Sequence, residues 1–245
     1  VAAGRDVYGG SEESNSDYRI MYPSASITMN SGTVNCIFGG GNGACDIGHT
    51  NVTVNGGKVV YICGAGCTGL KKDNKVGFAH VVVNGCIGKP DVYGGSGEGY
   101  ATTGESLVEI NGGTFGYVTA GGSNGFTNIG KVIVNGGTID LLQGANRGEM
   151  SDINYEINGG TITAMHVWGE GGNKDASDDP KVQNARVKLL GGTIATLKAG
   201  VNTIAGRVVT GEYAEGVITN QDEALAEMPE LKKIYNQQQI ITLIN

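Results

Sequence analysis

Apolar residues recur along this chain as pairs separated by one position, and nearly every pair runs into an asparagine and one or two glycines. The phrase reads ITMNSGTVNCIFGGG at 27–41, VTVNGGKVVYICGAG at 52–66 and VVVNGCIGKPDVYGGSG at 81–97. It returns as VEINGGTFGYVTAGGSNG at 108–125, VIVNGGTIDLLQGANRG at 132–148, YEINGGTITAMHVWGEGG at 155–172 and VKLLGGTIATLKAG at 187–200. Counted from Ile27, Val52, Val81, Val108, Val132, Tyr155 and Val187, successive copies start 23 to 32 residues apart. A period in this range marks a stack of structural repeats.

Each copy opens with a three-residue strand. Its outer two residues, such as Val52 and Val54 or Val108 and Ile110, fall on one face by period-two alternation. The residue between them (Thr28, Thr53, Val82, Glu109, Ile133, Glu156, Lys188) points away. Asn-Gly then signals a turn, because both residues tolerate positive φ. In a hairpin this turn would join antiparallel strands, but a meander of such short strands buries little. Coiling the chain pairs each strand in parallel with its equivalent. It also aligns Asn30, Asn55, Asn84, Asn111, Asn135 and Asn158 in a column able to hydrogen-bond along the axis. At about 4.8 Å per coil, about eight coils make a rod on the order of 40 Å long.

After the turn an apolar residue follows threonine, and a second apolar position (Ile37, Ile62, Val92, Leu142, Val167, Leu197) precedes the corner glycines. GRDVYGGS at 4–11 echoes KPDVYGGS at 89–96 and is an incomplete first copy. The segment 169–186 reads as a polar excursion. The expected organisation is a repeat domain over 1–200 and a cap or oligomerisation segment over 201–245, since a solenoid must cover its last coil. Within that segment 219–239 reads as helical, capped by Thr219 or Asn220 and interrupted at Pro229, and the closing IITLI reads as a strand.

Glycine makes up 44 of the 245 residues and proline only 4, without a collagen period. The net charge of −7 argues against nucleic acid and an anionic membrane surface, and no apolar run is long enough for membrane insertion. The chain opens at Val1 without a secretory signal and is read as a processed product or a fragment, which leaves the compartment open. The five cysteines, Cys36, Cys45, Cys63, Cys67 and Cys86, all lie in the first three full copies. Three readings stand side by side: small fillers of a narrow core, a bridge such as Cys45 to Cys67, or a zinc set of Cys45, His49, Cys63 and Cys67. The first is preferred, so neither a metal nor a cofactor is expected.

VTVNGG, VEINGGTF, VYGGSG and IFGGGNG resemble the Gly-rich repeats of large adhesin-like surface proteins of gut bacteria, and similar repeats of bacteriophage fibre or spike proteins. The likeness covers about 1–200. The stack with its small C-terminal α/β cap makes an all-β fold, and the resemblance implies a right-handed parallel β-helix (β-solenoid) in an extracellular, bacterial cell-surface or virion setting. It also implies attachment to a glycan or protein receptor, and for the phage members a homotrimer.

The residue before each corner glycine alternates with an inward one and reads Tyr8, Phe38, Cys63, Tyr93, Ala120, Gln143, Trp168 and Lys198 down the stack. Exposed aromatics there suit stacking on sugar rings, with Glu98, Glu170 and Asp175 as acceptors for sugar hydroxyls. The carbohydrate-binding candidates are therefore Tyr8, Phe38, Tyr93, Trp168, Glu98 and Glu170; the bland alternative is that the rings pack on one another or under the loops. No catalytic residue stands out. A glycosidase needs two carboxylates about 5–10 Å apart, and Glu109 with Asp140 or Glu149 with Glu170 are chance-level pairs. The leading expectation is a non-enzymatic adhesive solenoid. The alternatives are a carbohydrate-active enzyme, lyase or hydrolase, and a purely structural capsid, tail or filament subunit.

Overall fold

The computed structural model describes residues 4–10, 20–43, 45–67, 74–97, 101–146, 148–167, 182–198 and 241–243. Their strands, in chain order, are β1 (Val7–Tyr8), β2 (Ile20–Met29), β3 (Cys36–Phe38), β4 (Cys45–Val54), β5 (Tyr61–Cys63), β6 (Lys75–Val83), β7 (Asp91–Tyr93) and β8 (Thr102–Ile110). They continue as β9 (Thr114–Thr119), β10 (Phe126–Val134), β11 (Thr138–Gln143), β12 (Glu149–Ile157), β13 (Thr161–His166), β14 (Val182–Leu189), β15 (Thr193–Lys198) and β16 (Ile241–Leu243). All pairings are parallel, odd strands with odd and even with even, in two eight-stranded sheets. The chain is thus an all-β solenoid. The described residues hold seven coils of one long and one short strand, β2–β3 through β14–β15, with β1 and β16 adding a single strand each. That is close to the expected eight.

The expected three-residue opening strands are in fact eight to ten residues long in β2, β4, β6, β8, β10, β12 and β14. They extend back into stretches whose glycines and polar residues hide the alternation. In β4, Cys45 and Ile47 are buried, Gly48 and His49 both face out, and Thr50, Val52 and Val54 are buried again. Two consecutive outward residues make a corner inside the strand. There the register skips Gly48 and Gly77, pairing Ile47 with Val76 and then His49 with Phe78. A side chain on Gly48 would sit 2.6 Å from the Pro23 carbonyl oxygen, so glycine lets the coils close at this corner. Part of the expected excursion at 169–186 is likewise strand, since β14 starts at Val182.

The Asn-Gly-Gly turn joins each long strand to the next short one. Its positive φ falls on the second glycine, from 86° at Gly192 to 112° at Gly113. Six asparagines stack as expected: each Nδ2 donates to the Oδ1 of the asparagine one coil earlier, from Asn55 to Asn30 (2.8 Å) through Asn158 to Asn135 (2.8 Å). The seventh copy has Leu190 at this place.

The core runs down the axis as columns of like side chains. Val52, Val54, Val81, Val83, Val108, Ile110, Val132 and Val134 from the long strands meet Ile37, Ile62, Val92, Val118, Leu142 and Met165 from the short ones. Full burial of each aliphatic side chain contributes about 1.5–3 kcal/mol. The outward column Thr28, Thr53, Val82, Glu109, Ile133, Glu156, Lys188 also stands in register as read. The expected closing strand is present as β16, paired with β14. Residues 201–240, including the expected helix, lie outside the described residues.

Candidate functional site

The short-strand sheet carries the aromatic column, and pairing fixes its members: Tyr8, Phe38, Cys63, Tyr93, Thr119, Gln143, His166 and Lys198. Thr119 stands where Ala120 was expected, and His166 where Trp168 was. Ala120 and Val167 themselves take the corner-glycine place in their coils, so counting back from the next glycine lands late. By the same offset Met165, not Val167, is the second apolar core position of its coil.

The first members of this column, Tyr8, Phe38, Cys63 and Tyr93, point away from the main core, yet they form a small cluster of their own. Phe38 and Tyr93 are each only 5 % exposed and pack with Cys36, Cys63 and Cys67. The corner segments fold over them. A side chain on Gly97 would lie 2.7 Å from both the Cys63 Sγ and the Phe38 ring, so the Gly97 backbone rests directly on that pair. Tyr8, half-buried at the end of the stack, lies flat on Phe38 with ring centres 5.1 Å apart. Its hydroxyl is 3.4 Å from Asp6, whose other oxygen accepts from Asn35. Burial, then the Asp6 carboxylate, pushes the Tyr8 phenol well above its ordinary range. Burial, then Asp91, does the same to Tyr93, against a hydrogen bond with Asn146. Of the six candidates the structure thus brings Phe38 and Tyr93 into one covered cluster with Tyr8 against it. Trp168, Glu98 and Glu170 lie outside the described residues.

Among the described residues the exposed aromatics of the short-strand sheet are two residues upstream, in a column that sequence reasoning passed over: Cys36, Tyr61, Asp91, Tyr117, Leu141, Ala164 and Thr196. Tyr61 is 41 % and Tyr117 42 % exposed. Period two from Cys63 and Thr119 places both on the outward face, so the alternation already used for the core would have found them. Asp91 sits between them. Its Oδ1 accepts the Tyr117 N–H at 2.9 Å, and half-burial raises its carboxyl above the ordinary value against that bond. Tyr61 leans on Tyr93, with ring centres 6.4 Å apart. Beside this column runs Pro90, Gly116 and Asp140. Gly116 leaves room for the Asp91 carboxylate, and Lys89 reaches across that coil to pair with Asp140.

The chemistry weighed from the sequence is dispersed by the fold. Glu109 lies on the long-strand sheet, 2.6 Å from His80 Nε2, and Asp140 on the short-strand sheet with Lys89, so the two do not form a catalytic pair. Cys45 is buried with Ile47, Ala65 and Val76, His49 faces out against the Phe78 ring, and Cys63 and Cys67 share the aromatic cluster. The zinc set and the Cys45–Cys67 bridge are thereby split between separate environments. Among the described residues no group of three or more metal-ligating side chains converges, and no helix is long and apolar enough to cross a membrane.

No protein-family model, no curated protein and no solved structure matches this chain.

Proposed function

We propose that this solenoid is a non-enzymatic attachment rod, displayed on a cell surface or virion, that holds a glycan on its outer face. The observation that carries the reading is the exposed Tyr61 and Tyr117 standing in register on either side of Asp91, on a sheet with each strand locked to the next. Coils tied by backbone ladders and an asparagine column make a stiff support that projects side chains at a fixed spacing. Of the two carboxylate pairs weighed for a hydrolase, Glu109 and Asp140 are divided between two sheets and paired with His80 and Lys89, and Glu170 of the other pair lies outside the described residues. The resemblance to Gly-rich adhesins and phage fibres points the same way.

The test is adhesion. Beads carrying the full chain are expected to attach to surfaces coated with mucin or with bacterial envelopes, beyond beads carrying heat-unfolded chain. Equal attachment of both kinds removes the reading. Release of reducing ends or unsaturated products from neutral or acidic polysaccharides would replace it with a carbohydrate-active enzyme.

A further inference from the structure

We propose that Tyr61, Asp91 and Tyr117 form the binding site for a neutral saccharide chain lying along the solenoid axis. This rests on the attachment reading for its purpose, and on the geometry of the short-strand sheet for its chemistry.

Tyr61 and Tyr117 occupy the same column two coils apart, which sets their backbones about 10 Å from one another. Each spends a large apolar ring on solvent, although neighbouring positions of the same face bury theirs. A phenol ring offers a flat apolar face with a polar rim, which matches the C–H face and hydroxyl rim of a pyranose. Two such rings in register along a straight rod fit successive units of a chain better than a single compact ligand.

Asp91 supplies the polar contact between the rings. Its Oδ1 is engaged by the Tyr117 N–H, and its second oxygen keeps lone pairs to accept from sugar hydroxyls. A half-buried carboxylate at the centre also repels an anionic ligand, and the overall charge of −7 adds to that. Lys89, the nearby cation, is committed to Asp140 and does not reverse the sign. The ligand class is therefore neutral and hydroxyl-rich, rather than uronate, sulfated or phosphorylated. Tyr93, buried in the aromatic cluster, backs the Tyr61 ring and limits its freedom before binding, which lowers the entropy lost on binding.

The experiment titrates the full chain with cello-, manno-, malto- and β-1,3-gluco-oligosaccharides, and with oligogalacturonate as the acidic counterpart. Saturation-transfer NMR and calorimetry supply the readout. At least one neutral series is expected to bind, and oligogalacturonate to bind far more weakly. Tyr61→Ala and Tyr117→Ala should each weaken that binding about ten-fold, with Tyr61→Phe close to wild type. Both tyrosines point to solvent, so unchanged thermal midpoints will show that the variants fold. The proposal is overturned if no neutral series binds, if the double alanine variant binds like wild type, or if oligogalacturonate binds as well as the best neutral chain. Bead attachment that survives in the double variant would remove this site and leave the attachment reading standing. Oligosaccharide binding without bead attachment would do the reverse.

Discussion

Ala120 fills the space that a side chain on Gly130 would need: a Cβ there would come 2.6 Å from the Ala120 Cβ and 2.8 Å from the end of Met150. Three and two coils earlier the sizes are exchanged. Gly39 and Gly64 hold the corner, and a Cβ on either would touch Thr50 or Ala79 at 3.1 Å. One member of each facing pair stays small so that the sheets can approach. Gly130→Ala is therefore expected to destabilise the fold by about 2–3 kcal/mol, and Ala120→Gly on that background to recover more than half of the loss. Denaturant unfolding of the two single variants and the double variant measures the coupling. Additive effects would show that the two positions do not share a gap.

The asparagine column predicts a different response. Asn111 donates to Asn84 and accepts from Asn135, both at 2.7 Å. Asn111→Ala removes both bonds, and at about 0.5–1.5 kcal/mol net per bond the loss is about 1–2 kcal/mol at this exposed site. Leu190→Asn would extend the column by one bond, donated to the Asn158 Oδ1, and is expected to stabilise by about 0.5–1 kcal/mol. Thermal midpoints moving in opposite directions check the pair.

The stack was legible because its strongest signals are local and repeated. Alternating valines, Asn-Gly-Gly and the corner glycines each report a backbone requirement that recurs in every coil, so register followed from aligning copies. The N-terminal halves of the long strands were not legible. Gly48, Gly77 and Gly104 interrupt the apolar alternation there, and the ladder that holds those halves consists of backbone groups, which composition does not show. The outward face of the short strands was legible as a pattern, but not which of its rings solvent reaches. An outward aromatic column exists, but the residues nearest the corner are covered by corner segments such as Gly97, and the accessible rings are Tyr61 and Tyr117. That shielding depends on how a glycine-rich corner folds back, which no residue pattern states.

Tyr155 stands where the neighbouring coils have Val108, Val132 and Val187. It is fully buried, and its hydroxyl donates to the Val167 carbonyl at 2.8 Å. Burial holds this phenol well above its ordinary ionisation range. Tyr155→Phe keeps the ring and strands one acceptor, for a loss of about 1–2 kcal/mol. Tyr155→Val restores the residue of the column but empties the space of the ring, for a loss of about 3–5 kcal/mol. The order phenylalanine above valine in unfolding midpoint is the measurable outcome. The reverse order would mean that the column prefers valine and that the surrounding coils close over the space of the ring.

Two carboxylates should give stability profiles of opposite slope. Burial raises the Asp91 carboxyl in the folded chain, so between its unfolded and folded values the native state holds a proton that the unfolded state has lost. Stability then falls as pH rises through that window. Glu156 is held low, first by its hydrogen bond to Lys131 at 3.2 Å and also by Asn158. Its contribution is present above the ordinary carboxyl value and disappears as pH falls through the lowered one. Asp91→Asn keeps an oxygen for the Tyr117 N–H and removes the desolvated charge. Relative to wild type it should therefore gain stability at about pH 7 and little at about pH 3. Glu156→Gln should lose under about 1 kcal/mol at about pH 7, less in high salt, and nothing at about pH 3. Urea unfolding at the two pH values separates them, because a shared general effect of lost acidic charge would move both variants the same way.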